Sequence, residues 1–315
     1  YFFEHTNGKH ILVLADQNST LPELGPVTYL PTNEQEPSSY MEVVGSWQNS
    51  KHVRTSGVRL TNFDFEVPSK DLESVASVPT TPSLSSIEKF NFPGNYKERN
   101  DGSNYTRLLM ERESTYYETK TGDTNIRTFS AGSQFKLTEH FREDQNVDYV
   151  ITLVKMTLTS DQFVTNDEQD ETPMFDASFG VIPASAVFRT QPLAKKTVMQ
   201  GPQTAIVVGK KGEEIWTDKY GRIKVLFHWD RYAQADETSS CWMRVSQAWA
   251  GKNWGAMQIP RVGQEVLVDF LSGDPDQPIV IGSVYNGSTM PPYPLPANAT
   301  RSGIKSRSSK GGGGF

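Results

Sequence analysis

Hydrophobic and polar residues alternate most regularly in the last third of the chain, between residues 204 and 285. Short segments rich in Val, Ile, Leu and aromatic residues recur there, separated by Gly, Pro, Asp and Asn. The segments are TAIVVG, EEIWTD, RIKVLFHWD, CWMRVSQAW, GAMQIP, QEVLVDFL and PIVIGSVY. This spacing of short strands predicts a small closed β-barrel or a sandwich.

The stretch DKYGRIKVLFHWDR, residues 218–231, shows the alternation within a single strand. Residues two apart lie on the same face of a strand. One face is predicted to carry Ile223, Val225, Phe227 and Trp229. The other face is predicted to carry Arg222, Lys224, Leu226 and His228. His228 is therefore interpreted as a histidine on a strand face rather than as a general base.

The chain opens with a pattern typical of a hairpin. In YFFEHTNGKHILVLAD, residues 1–16, two apolar-rich runs flank Asn7-Gly8, a pair that accepts the positive φ angles of a type I′ turn. His5 and His10 lie on either side of this turn, where they can face each other. We interpret them as part of the turn rather than as metal ligands.

Further elements are predicted before residue 203. Residues spaced three and four apart predict one helix, with Asn104 as its N-cap and Thr119 near its end. FKLTEHF and VDYVITLVKMTLTS predict strands. Three prolines and the pair Lys195-Lys196 between residues 183 and 202 indicate a connection between two domains.

The last 26 residues have a different composition. MPPYPLP, residues 290–296, holds four prolines and favours an extended chain. ATRSGIKSRSSKGGGGF, residues 299–315, carries four basic residues and no acidic ones. This segment has too few apolar residues to offset the entropy of ordering by itself.

Composition and charge narrow the class of protein. A chain of 315 residues is long enough for two domains, and its 22% charged and 36% hydrophobic residues are typical of a globular protein. The net charge of -6 argues against nucleic acid as a partner. The single cysteine, Cys241, excludes an internal disulfide, favours a cytosolic folding compartment and is predicted to be buried in a strand. Residues 1–5 lack the features of a secretory signal peptide.

Candidate chemistry is sparse. The sequence contains no G-x-S-x-G, H-E-x-x-H, G-x-x-x-x-G-K-[ST] or G-x-G-x-x-G motif. Asp218 and Asp230 flank His228, but sequence alone does not bring them together. Glu265 and Asp269 share a strand face roughly 13 Å apart, whereas paired glycosidase carboxylates lie about 5–9.5 Å apart. We therefore expect no catalytic, cofactor-binding or metal site.

Aromatic and basic residues interleave between Trp216 and Arg261. On a five-stranded Greek-key barrel, such residues are typical of a surface that binds oligonucleotides or oligosaccharides. The alternative is that the tryptophans fill a small core and contact a neighbouring chain. The acidic total charge favours the alternative.

Three stretches resemble VgrG, the spike-protein family of bacterial type VI secretion. They are GPQTAIVVGKKGEEIWTDKYGRIKVLFHWDR (201–231), SSCWMRVSQAWAGKNWGAMQIPRVGQEVLVDFLSGDPDQPIVIGSVYN (239–286) and SGIKSRSSKGGGGF (302–315). Upstream, YFFEHTNGKHILVLAD, NFPGNY and FKLTEHF are more loosely similar to the phage-hub-like region of that family. The resemblance implies a mainly β chain with minor α structure. Its expected parts are an N-terminally truncated phage-hub-like β-barrel domain (1–195), a five-stranded OB-fold needle-like barrel (196–290) and a linker that begins a trimeric β-helix (291–315).

The resemblance also implies a function. VgrG-type chains form a homotrimeric spike that caps the Hcp tube and is driven through a target membrane, so the expected partners are Hcp, a spike-tip protein, effectors and other baseplate proteins. The chain is expected to be made in the cytoplasm without a signal peptide, secreted by the type VI system, and not to be an enzyme. The alternatives are an OB-fold protein that binds oligosaccharide or nucleic acid, and a peptidoglycan hydrolase of a phage-like tail.

Overall fold

The computed structural model describes residues 1–31, 41–78, 87–158 and 175–310. The chain divides into two compact units, Tyr1–Pro192 and Leu193–Phe315. Both units are built mainly from β-strands, so the predicted fold class is confirmed. No helix in the described ranges is long and apolar enough to cross a membrane.

The first unit contains eleven strands and one α-helix among its described residues. The strands are β1 (Phe2–Thr6), β2 (Lys9–Val13), β3 (Glu23–Thr28), β4 (Gln48–Lys51), β5 (Gly57–Leu60), β6 (Ser74–Ser77), β7 (Glu88–Asn91), β8 (Glu118–Thr124), β9 (Gln134–Thr138), β10 (Asp148–Leu158) and β11 (Phe175–Pro183). The helix is α1 (Arg99–Thr115).

A mixed sheet forms the centre of this unit. Its order among the described residues is β3-β9-β10-β11-β8-β4, with β3 parallel to β9 and the other pairs antiparallel. Buried side chains on one face include four aromatic rings, Phe129, Phe135, Tyr149 and Phe179. Ring centroids 5.0 to 6.3 Å apart show that these aromatic residues pack directly on one another.

The helix α1 packs on a small sheet of order β6-β5-β7. It begins at Arg99, five residues before the predicted N-cap Asn104, and ends at Thr115 rather than Thr119. Gly102 in the first turn explains the earlier start. A Cβ atom there would lie 2.5 Å from the buried ring of Tyr96, so packing requires the glycine that sequence propensity disfavours in a helix.

The predicted N-terminal hairpin is confirmed. Strands β1 and β2 pair antiparallel around Asn7-Gly8, whose φ angles are 49° and 72°. These positive values are those that a type I′ turn requires at both central positions.

The second unit contains seven strands among residues 193–310. They are β12 (Gln203–Val208), β13 (Lys224–Phe227), β14 (Arg244–Val245), β15 (Ala250–Gly251), β16 (Trp254–Gly255), β17 (Glu265–Phe270) and β18 (Pro278–Val284). Five of these described strands form a sheet of order β13-β12-β17-β18-β14.

This sheet closes into a barrel through one bridge. Ile223, next to β13, and Met243, next to β14, exchange two backbone hydrogen bonds of 3.0 and 2.8 Å, while β14 runs parallel to β18. The closed five-stranded arrangement is the OB-type barrel that was expected. Its interior is filled mainly by small and aliphatic side chains: Ala205, Val207, Ile223, Val225, Met243, Val266, Val268, Phe270 and Val280.

Several predicted strands are shorter or absent. EEIWTD (213–218) forms no strand, GAMQIP contributes only Gly255, and CWMRVSQAW contributes only β14. Cys241 precedes β14 and is exposed, so its predicted burial in a strand is wrong. Turns held by Asp and Ser side chains replace the expected pairing, because these side chains offer the backbone local hydrogen bonds.

Candidate functional site

His228 does not form a catalytic group with its acidic neighbours. Strand β13 ends at Phe227, so His228 lies in the following turn rather than on a strand face as predicted. Its Nε2 atom lies 3.1 Å from the hydroxyl of Thr204 and 3.9 Å from Glu265 Oε1. The side chain is more than half exposed, and neither neighbouring aspartate is among these contacts.

Asp218 and Asp230 both hold turns. Asp218 accepts hydrogen bonds from the backbone of Tyr220 and Arg222 and pairs with the Arg222 guanidinium at 2.7 Å. Burial raises the pKa of Asp218, but the hydrogen bonds and charge of Arg222 outweigh it and leave the pKa below its ordinary value. Asp230 accepts hydrogen bonds from the backbone of Tyr232 and Ala233. Both carboxylates therefore stabilise turns at the ends of β13.

Glu265 and Asp269 have separate surroundings. The side-chain amide of Asn286 donates to Glu265 at 2.8 Å and lowers the pKa of that carboxyl, with a smaller effect from Thr204. Asp269 accepts a hydrogen bond from the backbone of Phe270. A lowered pKa is the opposite of what a general acid needs, and this geometry does not support a glycosidase pair.

The basic side chains near the tryptophans are already engaged. Lys224 donates to the backbone oxygen of Glu237 at 2.5 Å, and its ammonium lies 5.1 Å from the centre of the Trp242 ring. Trp216 stacks beside Trp242 with a centroid distance of 6.2 Å. Because Arg222 pairs with Asp218, both Arg222 and Lys224 serve intrachain contacts, which weakens their interpretation as part of a nucleic-acid surface.

Two tryptophans project from a short hairpin on the barrel, residues 249–255, which we call the tryptophan hairpin. Trp249 and Trp254 are 64% and 58% exposed, and their rings meet edge to face at 5.1 Å. Two glycines allow this geometry. A Cβ atom at Gly251 would lie 2.3 Å from the Trp254 ring, and Gly255 has a φ of 132° with a virtual Cβ 2.3 Å from Trp249 O.

The tryptophan hairpin lies outside the core of the barrel. The nine buried side chains of the interior do not include it, so hydrophobic packing within the unit leaves both indoles largely in water. Exposed tryptophans on rigid, pre-ordered backbone are typical of protein-protein contact sites. The motif WAGKNWG was present in the sequence, and its paired glycines and tryptophans could have predicted this hairpin.

A second feature fixes residues 307–310 of the basic C-terminal segment to the barrel; we call it the tail clamp. Arg261 pairs with Glu214 at 2.6 Å and donates to the backbone oxygens of Arg307 and Ser308. Glu214 in turn accepts from the backbone of Lys310 at 2.7 Å. The hydrogen bond from Arg261 holds the pKa of Glu214 below its usual value, with a further contribution from Lys310. The partners are 46 to 96 residues apart in sequence, so no local pattern indicates the clamp.

The connection before the barrel is anchored in a similar way. Lys196 reaches Asp274 at 2.7 Å and Asp276 at 3.3 Å, and Met199 donates to the backbone oxygen of Gly273 at 2.8 Å. The basic residue at 196 that marked a connection in the sequence is thus part of the barrel unit.

Family comparisons divide the chain into two matched regions. Residues 1–162 match the phage tail baseplate hub (GPD) family. Residues 203–285 match the type VI secretion system/phage-baseplate injector OB domain. The second region coincides with the strands of the closed barrel, from β12 to β18.

Individual relatives agree with these matches. The type VI secretion system spike protein VgrG1b of Pseudomonas aeruginosa is 43% identical over 99% of this chain and 42% of its own length. The actin cross-linking toxin VgrG1 of Vibrio cholerae is 33% identical over 99% of this chain but 28% of its own length. The chain thus spans less than half the length of these curated relatives.

Among solved structures, the chain matches the c3393 protein of E. coli. It is described as a component of the type VI secretion system with structural similarity to the T4 phage tail proteins gp27 and gp5. The match has a TM-score of 0.48 and 17% identity, and covers 84% of this chain and 50% of that one.

Proposed function

Because the chain belongs to the phage tail baseplate hub family, as a VgrG-type member with an injector OB domain, we propose that it forms part of a trimeric spike. This spike caps the Hcp tube of a type VI secretion machine and delivers effectors across a target membrane. The relatives named as spike proteins support this proposal, and the chain corresponds to less than half of their length.

The tryptophan hairpin is the observation that carries the trimer proposal. The interior of the barrel is complete without it, yet Trp249 and Trp254 remain on the surface, on a hairpin whose glycines allow the two rings to approach each other. Large apolar side chains gain free energy when a second surface covers them, at about 25 cal/mol per Å² of apolar area. We propose that the covering surface is another copy of this chain.

The C-terminal segment supports the same function. Residues 297–310 form no strand among the described residues, and the tail clamp holds their end against the barrel. We propose that residues 291–315 lead into an intertwined β-helix, where glycines permit the close approach of three backbones. Residues 311–315 of this predicted start lie outside the described residues. We likewise propose 1–195 and 196–290 as the limits of the hub-like and needle-like domains.

The remaining assignments follow from this function. We propose that the chain acts mechanically rather than as an enzyme, with Hcp, a spike-tip protein, effectors and other baseplate proteins as partners. It would be made in the cytoplasm and exported by the type VI machine itself. The activity in the name of the cholera toxin belongs to that relative, which this chain matches over 28% of its length.

Sedimentation or light scattering tests the trimer. The purified chain should have three times its mass of 35.2 kDa at micromolar concentration. Removal of a central interface tryptophan typically costs 2 kcal/mol or more, so Trp249→Ala should raise the concentration for half-dissociation by about 30-fold or more. Leu193→Ala, which removes another exposed apolar side chain of this unit, is the matched control and should stay trimeric. A stable monomer at all concentrations up to about 100 µM would contradict the proposal.

A further inference from the structure

The N-terminal hairpin brings two histidines face to face. In the register of β1 and β2, His5 lies directly opposite His10, one step from the Thr6 and Lys9 pair that flanks the turn. The pair next to a two-residue turn, here Thr6 and Lys9, exchanges backbone hydrogen bonds. The following pair, His5 and His10, is therefore a non-hydrogen-bonded pair, in which opposite side chains lie closest. The backbone register therefore places the two imidazoles within reach of each other.

The imidazoles meet through the same atom of each ring. The two Nδ1 atoms are 2.6 Å apart and the ring centroids 4.8 Å apart, with both side chains exposed. At this separation, one Nδ1 carries the proton and the other accepts it. A metal ion in place of that proton would bind the lone pairs of both Nδ1 atoms at once.

The separation of the two nitrogens is close to that of two ligands on one metal ion. With metal-nitrogen bonds of about 2.0 Å, two ligands at 90° lie about 2.8 Å apart and two at the tetrahedral angle about 3.3 Å apart. The 2.6 Å in the structure is a hydrogen-bond distance below both values, so a small turn of the rings would let both lone pairs meet on an ion. We propose that His5 and His10 form a two-imidazole chelate for a divalent transition metal, with Cu²⁺ bound most tightly because nitrogen ligands prefer it among the divalent first-row metals.

The remaining histidines do not offer such a pair. His140 is buried and accepts a hydrogen bond from the backbone of Arg142, His228 contacts Thr204, and His52 lies 3.5 Å from the hydroxyl of Thr119. Within the described ranges, no cluster of three or more His, Cys, Asp and Glu side chains could hold a metal ion. The ion at His5 and His10 therefore keeps open positions for water or for a donor from another molecule.

Titration with Cu²⁺ tests the site on the full chain. Wild-type protein should bind one ion with micromolar affinity, and its electron paramagnetic resonance spectrum should show coupling to two imidazole nitrogens. His5→Gln and His10→Gln should each weaken binding by at least tenfold, because each leaves a single ligand. His52→Gln is the matched control, since it removes another exposed imidazole and should bind Cu²⁺ like the wild type.

Three results would overturn the inference. They are unchanged affinity in both hairpin variants, equal weakening in His52→Gln, and no saturable binding below about 1 mM. Circular dichroism and thermal unfolding without metal check that the variants fold, which is expected because both side chains are exposed. The inference does not depend on the proposed trimer, so either can fail alone.

Discussion

The cores of the two units differ in their aromatic content. In the first unit, Phe129 and Phe135 are buried among other rings at the centre of the large sheet. In the barrel unit, Val and Ile fill most of the interior, and Trp249 and Trp254 lie outside. A narrow five-stranded barrel has room for β-branched side chains, so the largest rings are left for the surface. The difference indicates that aromatic rings form much of the core in the first unit, whereas in the barrel unit two of the largest rings stay available to cover another surface.

Buried polar groups differ as well. Lys120 in β8 is only 2% exposed, pairs with Glu118 at 2.7 Å, and lies 5.3 Å from the centre of the Tyr149 ring. The interior of the barrel, by contrast, consists of apolar side chains. The first unit therefore depends on electrostatic contacts, and hence on pH, in a way that the barrel interior does not.

Replacing a core aromatic residue should give the largest effect. Phe129→Ala removes a side chain that is 1% exposed and should cost about 3–5 kcal/mol of the free energy of unfolding, measured by urea denaturation of the first unit. Trp254→Ala should change the free energy of unfolding of the barrel by less than about 0.5 kcal/mol at concentrations where the chain is monomeric. Equal losses of unfolding free energy in Phe129→Ala and Trp254→Ala would contradict the contrast between the two units.

Breaking the buried ion pair should have an intermediate effect. Glu118→Gln leaves the ammonium of Lys120 without its carboxylate and should cost about 1–3 kcal/mol at pH 7. Burial raises the pKa of Glu118, but the hydrogen bond and charge of Lys120 outweigh it and leave the pKa below 4.5. The stabilisation is therefore complete above about pH 4.5 and is lost as the pH falls through the folded-state pKa.

Two comparisons make this test specific. The difference between Glu118→Gln and wild type should shrink in unfolding measurements near pH 3. Glu88→Gln is the control, because Glu88 pairs with Arg59 at the surface, where such a pair contributes about 0–1 kcal/mol. A pH-independent loss in Glu118→Gln would mean that packing, and not charge, explains it.

The smallest effect on stability is expected from protonation of His140. Burial lowers the pKa of this side chain, and its Nδ1 already accepts a hydrogen bond from the backbone of Arg142 at 3.0 Å. The charged groups nearby are Arg142, which also lowers the pKa, and Asp144, which opposes it. Because the unfolded chain binds the proton more readily, stability is complete above about pH 6.5 and falls as the pH drops below it.

Thermal unfolding at pH 7.5 and pH 5.5 measures this dependence. The decrease in Tm of the first unit between the two values should be smaller in His140→Asn, which keeps an acceptor near Nδ1 but does not titrate. His52→Gln should retain the wild-type decrease, since His52 is exposed. An identical pH dependence in His140→Asn would show that other groups are responsible.

The sequence predicted the barrel better than the first unit, for a physical reason. Alternation of apolar residues is a local property, and in β17 the more deeply buried side chains alternate along the strand as the apolar residues Val266, Val268 and Phe270 do. The start of α1 could not be predicted, because Gly102 is required by the ring of Tyr96, six residues earlier in the chain. Trp229 is predicted to share a strand face with Ile223 and Val225, but β13 ends before it and its side chain is 64% exposed.

The sequence by itself determined the shared face of Ile223, Val225 and Phe227, the Asn7-Gly8 turn, and the resemblance to a spike-protein family. Each depends on residues close together in the chain or on long runs of matching residues. Only the tertiary structure showed the closure between Ile223 and Met243, the tail clamp at Arg261, and the exposure of the tryptophan hairpin. These features depend on which distant residues meet and on how much room the interior has, and neither is encoded in local periodicity.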